Sequence, residues 1–139
     1  DMDVKVVYDQ SYSVLAHSVA ALVTSGTATL EAAIANIPQV VCYRTSRLSY
    51  SIAKRLVKIR FISLVNLIMD KEIVKELIQS DLNERRIVSE LNSILPGGWK
   101  RPGMLKNYSI LRKKLAGEGA SSRIANDIFH SLKLVHNVN

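Results

Sequence analysis

The run Ser25-Gly26-Thr27 combines small hydroxylated residues with a glycine, and the carboxylate of Glu31 follows four residues after Thr27. A glycine lets the backbone turn tightly and lets a ligand approach it closely. If a helix begins at this turn, its free N–H groups and its dipole favour an anion, and the hydroxyl groups of Ser25, Thr27 and Thr29 add further donors. A diphosphate is the ligand that these residue types suit best.

The Glu31 carboxylate has two interpretations. As an acidic residue in the first turns of a helix, it stabilises that helix by roughly 0.3–1 kcal/mol. As a ligand-binding residue, it accepts two hydrogen bonds from a vicinal diol, as an acidic residue does with the ribose of dinucleotides. The pattern is neither a Walker loop nor G-x-G-x-x-G, so the residues alone leave both interpretations open.

Strands and helices alternate around this turn, which predicts βαβ units and a parallel α/β sheet. The predicted elements of the first half are a strand at 4–8, a helix at 11–17 with Val14 and Leu15 buried, a strand at 21–24, a helix at 27–35 ended by Asn36, and a strand at 39–43. Ligands of open parallel sheets bind outside the carboxyl ends of the strands. The turn at 25–27 lies at such an end.

The second half is predicted to be mainly helical and to pack against the sheet. Its predicted elements are a helix at 48–57, a strand or extended segment at 61–65, helices at 73–79, 83–95 and 104–115, and a last helix capped by Ser121 or Ser122. Apolar residues at 87, 88, 91, 94 and 95 predict one buried helical face. We expect one domain over 1–139, with the sheet and the turn in 4–80.

The composition is that of a basic globular domain. Of the 139 residues, 47% are hydrophobic, and no apolar run reaches the ~18 residues of a membrane-spanning helix. The formal net charge of +7 favours an anionic partner, which is nucleic acid, a phosphorylated small molecule or an acidic membrane surface. Nucleic acid is disfavoured because the sequence has neither the known binding motifs nor a row of stacking aromatic residues.

Cys42 is the only cysteine, so an internal disulfide is impossible and a reducing, cytoplasmic location is expected. It lies in an apolar run, which indicates a core residue rather than a nucleophile. The three histidines lack metal-ligand spacing, and we expect no metal and no cofactor. The chain reaches a predicted strand within four residues of Asp1, and we expect it to be a segment of a longer protein.

Several short motifs, taken in order, resemble the lipid-A-disaccharide synthases. The residues at 22–33, Leu-Val-Thr-Ser-Gly-Thr-Ala-Thr-Leu-Glu-Ala-Ala, are similar to the nucleotide-sugar signature of that family. The resemblance continues through Ile37-Pro38, Val40-Val41, Tyr43-Arg44, 53–58, 62–64, Asn66-Leu67 and 76–79. It implies the C-terminal half of an inverting GT-B glycosyltransferase, with a Rossmann-like parallel sheet flanked by helices and a helical C-terminal third.

The resemblance also implies a reaction and a set of binding residues. The whole enzyme transfers diacylglucosamine from UDP-2,3-diacylglucosamine to 2,3-diacylglucosamine 1-phosphate, without a metal. Ser25-Gly26-Thr27 would contact the diphosphate, Glu31 the ribose, and Asn66 a ligand near the cleft, although Val65 stands where the family usually has proline. The general base is expected in an N-terminal half, so this chain alone should bind UDP weakly and show no turnover.

Basic residues are concentrated between 44 and 60. Arg44 follows a predicted strand and is the candidate cation for the departing UDP, since a metal-independent enzyme needs cationic or backbone stabilisation there. The alternative for Arg44 is a surface or structural arginine. The cluster from Lys54 to Arg60 is either a solvated helix face or a contact with anionic lipid head groups at the inner membrane. The resemblance also implies a homodimer with exchanged C-terminal segments as one alternative.

Two other functions stay open at this point. One is a different UDP-sugar enzyme of the same architecture, or a UDP-N-acetylglucosamine epimerase whose other half carries its own acid and base. The other is a non-catalytic α/β module that binds an anionic partner through the cluster from Lys54 to Arg60. The residues before Asp1 in the whole protein would separate the enzyme alternatives.

Overall fold

The computed structural model describes residues 4–24, 26–45 and 60–116, apart from the side chain of Tyr12. These ranges form a parallel sheet flanked by helices, which confirms the predicted α/β class with a Rossmann-like sheet. The elements are α1 (Ser11–Ala16), β1 (Ala21–Val23), α2 (Thr27–Ile34), β2 (Gln39–Tyr43), α3 (Leu64–Met69), β3 (Lys75–Ile78), a 3-10 turn (Gln79–Asp81), α4 (Glu84–Ile94) and α5 (Arg101–Leu115).

The three described strands lie in the order β1-β2-β3, and both pairings are parallel. Val41 of β2 lies opposite Val23 of β1 on one side and opposite Glu76 of β3 on the other. Because the strands are parallel, their carboxyl ends share one edge of the sheet. The turn after β1, Arg44 after β2 and the 3-10 turn after β3 all lie at this carboxyl edge.

The core lies between the sheet and the helices. Its buried members are Ala33, Val40, Val41, Val65, Ile73, Val74, Leu77, Ile94, Met104, Tyr108 and Leu111. On α4 the buried face is narrower than the apolar spacing predicts, because Val88 is half exposed. Helix α5 also holds α2 in place. The Arg112 guanidinium on α5 donates to the carbonyl of Ala33 at 3.3 Å. A cation at this position is favourable because it lies at the C-terminal end of a helix.

Several predicted elements are confirmed with small shifts at their ends. The strands at 21–24 and 39–43 and the helices at 11–17, 27–35 and 83–95 are present as β1, β2, α1, α2 and α4. Asn36 ends α2 with a φ of +64°, a left-handed conformation that asparagine tolerates. The last described helix begins three residues earlier than predicted, at Arg101, since proline suits the first turn of a helix.

Other predicted elements are wrong. Residues 4–8 form no strand, and Val4 is 74% exposed because these residues pair with no described strand. Val14 on α1 is predicted to be buried but is exposed, because the irregular segment at 4–8 does not pack over it. The segment at 61–65 contributes one isolated bridge at Ser63 before α3 begins. The predicted helix at 73–79 is replaced by β3 at Lys75–Ile78, because pairing with β2 overrides the local helix propensity.

Two further predicted helices, at 48–57 and after Ser121 or Ser122, lie outside the described residues. The same holds for most of the basic cluster from Lys54 to Arg60. Arg60 itself is described and lies 3.7 Å from the Asp70 carboxylate, with both side chains largely exposed. An exposed pair of this kind contributes little to stability, about 0–1 kcal/mol.

Candidate nucleotide site

The turn between β1 and α2 has the geometry of a ligand-binding turn. Gly26 precedes the first residue of α2 and has φ +97° and ψ −155°, a conformation that is accessible almost only to glycine. A Cβ built at Gly26 would meet no described atom within 4 Å. The glycine is therefore required by the backbone conformation and not by crowding, and the space beside it is open to a ligand.

Two hydroxyl groups of this turn have different environments. Thr27, the first residue of α2, is exposed. Thr29 is fully buried, and its hydroxyl donates to the carbonyl of Gly26 at 2.8 Å. The Thr29 hydroxyl, which the sequence suggested as a further donor to a ligand, instead fixes the backbone of the turn. Ser25 lies outside the described residues, and its diphosphate contact stays a prediction.

Glu31 lies one helical turn after Thr27 on α2, so the two side chains share a face of the helix. The Glu31 side chain is half-buried and lines a cavity of about 480 Å³ between α1, β1 and α2. Ser11 and Ser18 add hydroxyl groups to the same cavity. The Glu31 carboxylate has no hydrogen bond or ion pair with another described residue, so these residues leave it available to a ligand.

Arg44 lies at the carboxyl edge directly after β2, as predicted. Its guanidinium Nη2 donates to the carbonyl of Leu82 at 2.9 Å, which anchors the side chain to the segment after β3. The residue is otherwise exposed. Since a guanidinium has five N–H donors, this anchor leaves donors with which Arg44 can contact an anion at the edge.

Asn66 is fully buried on α3, and its amide is saturated with hydrogen bonds. The Oδ1 atom accepts from the backbone N–H groups of Ile73 at 2.7 Å and Val74 at 3.0 Å. The Nδ2 atom donates to the carbonyl of Val74 and to the Glu76 carboxylate, both at 2.9 Å. An amide group has four such positions, so a direct ligand contact would break one of these bonds. The Asn66 amide holds the residues before β3 in place, and its ligand contact stays a prediction.

Sequence reasoning missed Glu76 and Ser63, which join the partners of Asn66 to the glycine turn. Ser63 is fully buried and forms an isolated parallel bridge with Gly26. The Glu76 carboxylate accepts from the hydroxyl of Ser63 at 2.7 Å. Both residues lie in motif runs, 62–64 and 76–79, but neither has a local pattern that indicates a role.

Cys42 is half-buried on β2, and burial raises the pKa of its thiol. The thiol is therefore protonated at neutral pH, which agrees with the interpretation of Cys42 as a packing residue. Among the described residues, no group of three or more His, Cys, Asp or Glu side chains is arranged to hold a metal ion. Within the same ranges, no helix has the length and apolar character needed to cross a membrane.

A family model described as lipid-A-disaccharide synthetase matches residues 1–122. The chain belongs to this family. It is 46% identical over 113 residues to the lipid-A-disaccharide synthase of Psychromonas ingrahamii, a match covering 81% of this chain and 29% of that protein. The enzymes of that name from Acidobacterium capsulatum and Syntrophus aciditrophicus are 42% identical over 78% of the chain and 39% identical over 88%.

Membership in the lipid-A-disaccharide synthetase family confirms the resemblance that the motifs between 22 and 79 carry. The chain spans between 27% and 32% of the length of these three relatives. The described residues contain the glycine before α2, the Glu31 carboxylate on α2 and the Arg44 guanidinium after β2.

Proposed function

We propose that this chain is the UDP-sugar-binding half of a lipid-A-disaccharide synthase. The whole enzyme transfers diacylglucosamine from UDP-2,3-diacylglucosamine to 2,3-diacylglucosamine 1-phosphate and releases UDP. The observation that carries the proposal is the glycine turn at the start of α2, with Glu31 one helical turn further along the same face. Family membership selects a UDP-sugar from among the anions that such a turn accommodates.

In the proposed complex, hydrogen-bond donors contact the diphosphate and a carboxylate contacts the ribose. The backbone N–H groups of the first turn of α2 and the hydroxyls of Ser25 and Thr27 donate to the diphosphate. The Glu31 carboxylate would repel a phosphate but accepts two hydrogen bonds from the ribose diol. Arg44 adds positive charge at the same edge.

In the proposed reaction the acceptor hydroxyl attacks the anomeric carbon of the donor sugar, with inversion. The bond from that carbon to the diphosphate oxygen breaks, and its electron pair stays with the departing UDP. The proton of the acceptor hydroxyl passes to a base in the N-terminal half of the enzyme. The residues of this chain stabilise the charge that develops on UDP, without a metal, and they do not carry out the attack.

The surroundings of the enzyme are part of the same proposal. Both substrates carry acyl chains, and the net charge of +7 suits an anionic surface. We therefore place the protein in the cytoplasm, in peripheral contact with the inner membrane. The proposed assembly is a homodimer that exchanges C-terminal segments, as the family resemblance implies.

Calorimetry of the 139-residue chain with UDP, UMP and ATP tests the proposal. UDP should bind more tightly than ATP, and Glu31→Ala should weaken UDP binding at least about tenfold, because two hydrogen bonds to a charged group are lost. The matched control is Glu84→Ala, which removes an exposed carboxylate from the first turn of α4 and should leave the affinity unchanged.

Two results would contradict the proposal. One is the absence of any preference for UDP, and the other is an unchanged affinity in Glu31→Ala. If UDP binding is undetectable while charge reversal at Lys54 and Arg55 abolishes binding to anionic vesicles, the chain is instead a non-catalytic module for an anionic surface. The net charge of +7 is the observation behind that alternative.

A further inference from the structure

We infer that Glu76 is the positioning residue of the nucleotide turn, which it controls through Ser63. The inference rests on the proposed function for the meaning of the turn, but the physical link between the two places is visible in the fold. Glu76 lies in the middle of β3, two strands away from the turn that follows β1. Its carboxylate acts on the segment that pairs with Gly26.

The Glu76 carboxylate is half-buried and accepts four hydrogen bonds. Its Oε1 accepts from the backbone N–H of Ser63 at 2.9 Å, from the Ser63 hydroxyl at 2.7 Å and from Asn66 Nδ2 at 2.9 Å. Its Oε2 accepts from the backbone N–H of Ile62 at 2.9 Å. Among the described residues, no lysine or arginine forms an ion pair with it, and the four hydrogen-bond donors are the groups that stabilise its charge.

Burying a carboxylate at this position costs free energy unless hydrogen bonds compensate for the lost water. Glu76 pairs in register with Val41, a fully buried residue, so an apolar side chain would be the simple choice for packing. The carboxylate instead captures two consecutive backbone N–H groups, those of Ile62 and Ser63, in a segment that has no strand of its own. These two hydrogen bonds fix the position and direction of that segment relative to the sheet.

The fixed segment is the neighbour of the nucleotide turn. Ser63 forms an isolated parallel bridge with Gly26, so no longer ladder holds this pairing in register. The same serine begins α3, since its hydroxyl accepts from the backbone N–H of Asn66 at 3.4 Å. A displacement of Ser63 would therefore be transmitted directly to the strained backbone of Gly26 and to the first turn of α2.

Glutamine cannot replace Glu76 without a conflict, although it has the same shape. If its oxygen takes the place that accepts three hydrogen bonds, its NH₂ group faces the N–H of Ile62, and two donors oppose each other. The opposite orientation places the NH₂ group against the three donors from Ser63 and Asn66. Glu76→Gln is thus a volume-neutral way to release the segment at 62–63.

The test compares Glu76→Gln with Glu72→Gln in the ¹⁵N-labelled 139-residue chain. Glu72 is an exposed glutamate that pairs with Lys75 at 3.2 Å and makes no described bond to the segment at 62–63. We expect Glu76→Gln to shift the amide resonances of Gly26 and Thr27 and to weaken UDP binding about tenfold, the effect of about one charged hydrogen bond. Glu72→Gln should change neither.

Each outcome decides the inference. Unchanged Gly26 and Thr27 resonances in a folded Glu76→Gln variant overturn it, and so does unchanged UDP affinity where the original chain binds UDP. If the original chain does not bind UDP, the proposed function fails, and the resonances alone decide whether Glu76 controls the turn. If Glu76→Gln does not fold, Glu76→Asp decides by the same two measurements, since it keeps the charge but shortens the side chain by one CH₂ and so withdraws the carboxylate from the N–H groups of Ile62 and Ser63.

Discussion

Replacing Gly26 with alanine should destabilise the protein through the backbone alone. The Cβ of alanine would find open space among the described residues, so overlap with neighbouring elements adds nothing to the cost. The conformation with φ +97° and ψ −155° is one that non-glycine residues scarcely adopt, and imposing it costs about 1–3 kcal/mol. With an m-value of about 2 kcal/mol/M in urea, a loss of about 2 kcal/mol lowers the unfolding midpoint by about 1 M.

Gly103→Ala is the matched control and should have the opposite sign. Gly103 also has open space for a Cβ, but it lies within α5 and does not have a positive φ. Alanine there should stabilise the chain by about 0.5–1 kcal/mol, because glycine loses more conformational freedom on entering a helix. Urea unfolding followed by circular dichroism measures both variants. A Gly26→Ala midpoint equal to that of the original chain would refute the strained turn and with it the geometry of the site.

Two further substitutions test the supports of the site and of the core. Asn66→Ala should lower the free energy of unfolding by at least about 2 kcal/mol, because two buried backbone N–H groups before β3 lose their acceptor. Asn107→Ala, which removes one exposed bond on α5, should stay within about 0.5 kcal/mol; equal effects would contradict this. Burial raises the pKa of the Tyr108 hydroxyl, so the folded chain holds this proton more tightly than the unfolded chain does. Stability should therefore be insensitive to this group below about pH 10 and fall above it by about 1.4 kcal/mol per pH unit. That loss should disappear in Tyr108→Phe but persist in Tyr8→Phe, and urea unfolding between pH 9 and 11 measures it.

The nucleotide turn was predictable because its signals are local. A glycine between hydroxylated residues, good helix formers from Thr27 onward and a short apolar run before them indicate a strand, a turn and a helix without any distant contact. The structure has β1, the turn and α2 at those residues. Asn36 is equally local, since its side chain tolerates the left-handed conformation that ends α2.

β3 was not predictable from local patterns. Lys75, Glu76 and Leu77 favour a helix, and only pairing with β2, more than thirty residues earlier in the chain, makes them a strand. Residues 4–8 show the converse, since their β-branched side chains favour a strand that the described part of the fold does not pair. Local propensity is outweighed wherever a partner strand is gained or missing.

The supports of the site were hidden for a related reason. Asn66 has the residue type of a turn or a ligand contact, and its actual partners lie seven to ten residues further along the chain. Two partners of Glu76, Ile62 and Ser63, lie fourteen and thirteen residues before it, on a segment whose course no periodicity reveals. The residues proposed to contact a ligand leave a pattern in the sequence, whereas those that hold them in place depend on the completed fold.

The hydrogen bonds at the carboxyl edge also bear on where the chemistry takes place. A general base needs a carboxylate or another group that is free to accept a proton from the acceptor hydroxyl. Glu76 already accepts four hydrogen bonds, and Asp81 pairs with Arg86. Glu31 and Asp9 line one cavity, and neither side chain has a partner among the described residues, but the proposed ribose contact occupies Glu31. For Glu76 and Asp81, these bonds agree with the proposed division, in which this chain holds the leaving group and the base belongs to the other half of the enzyme.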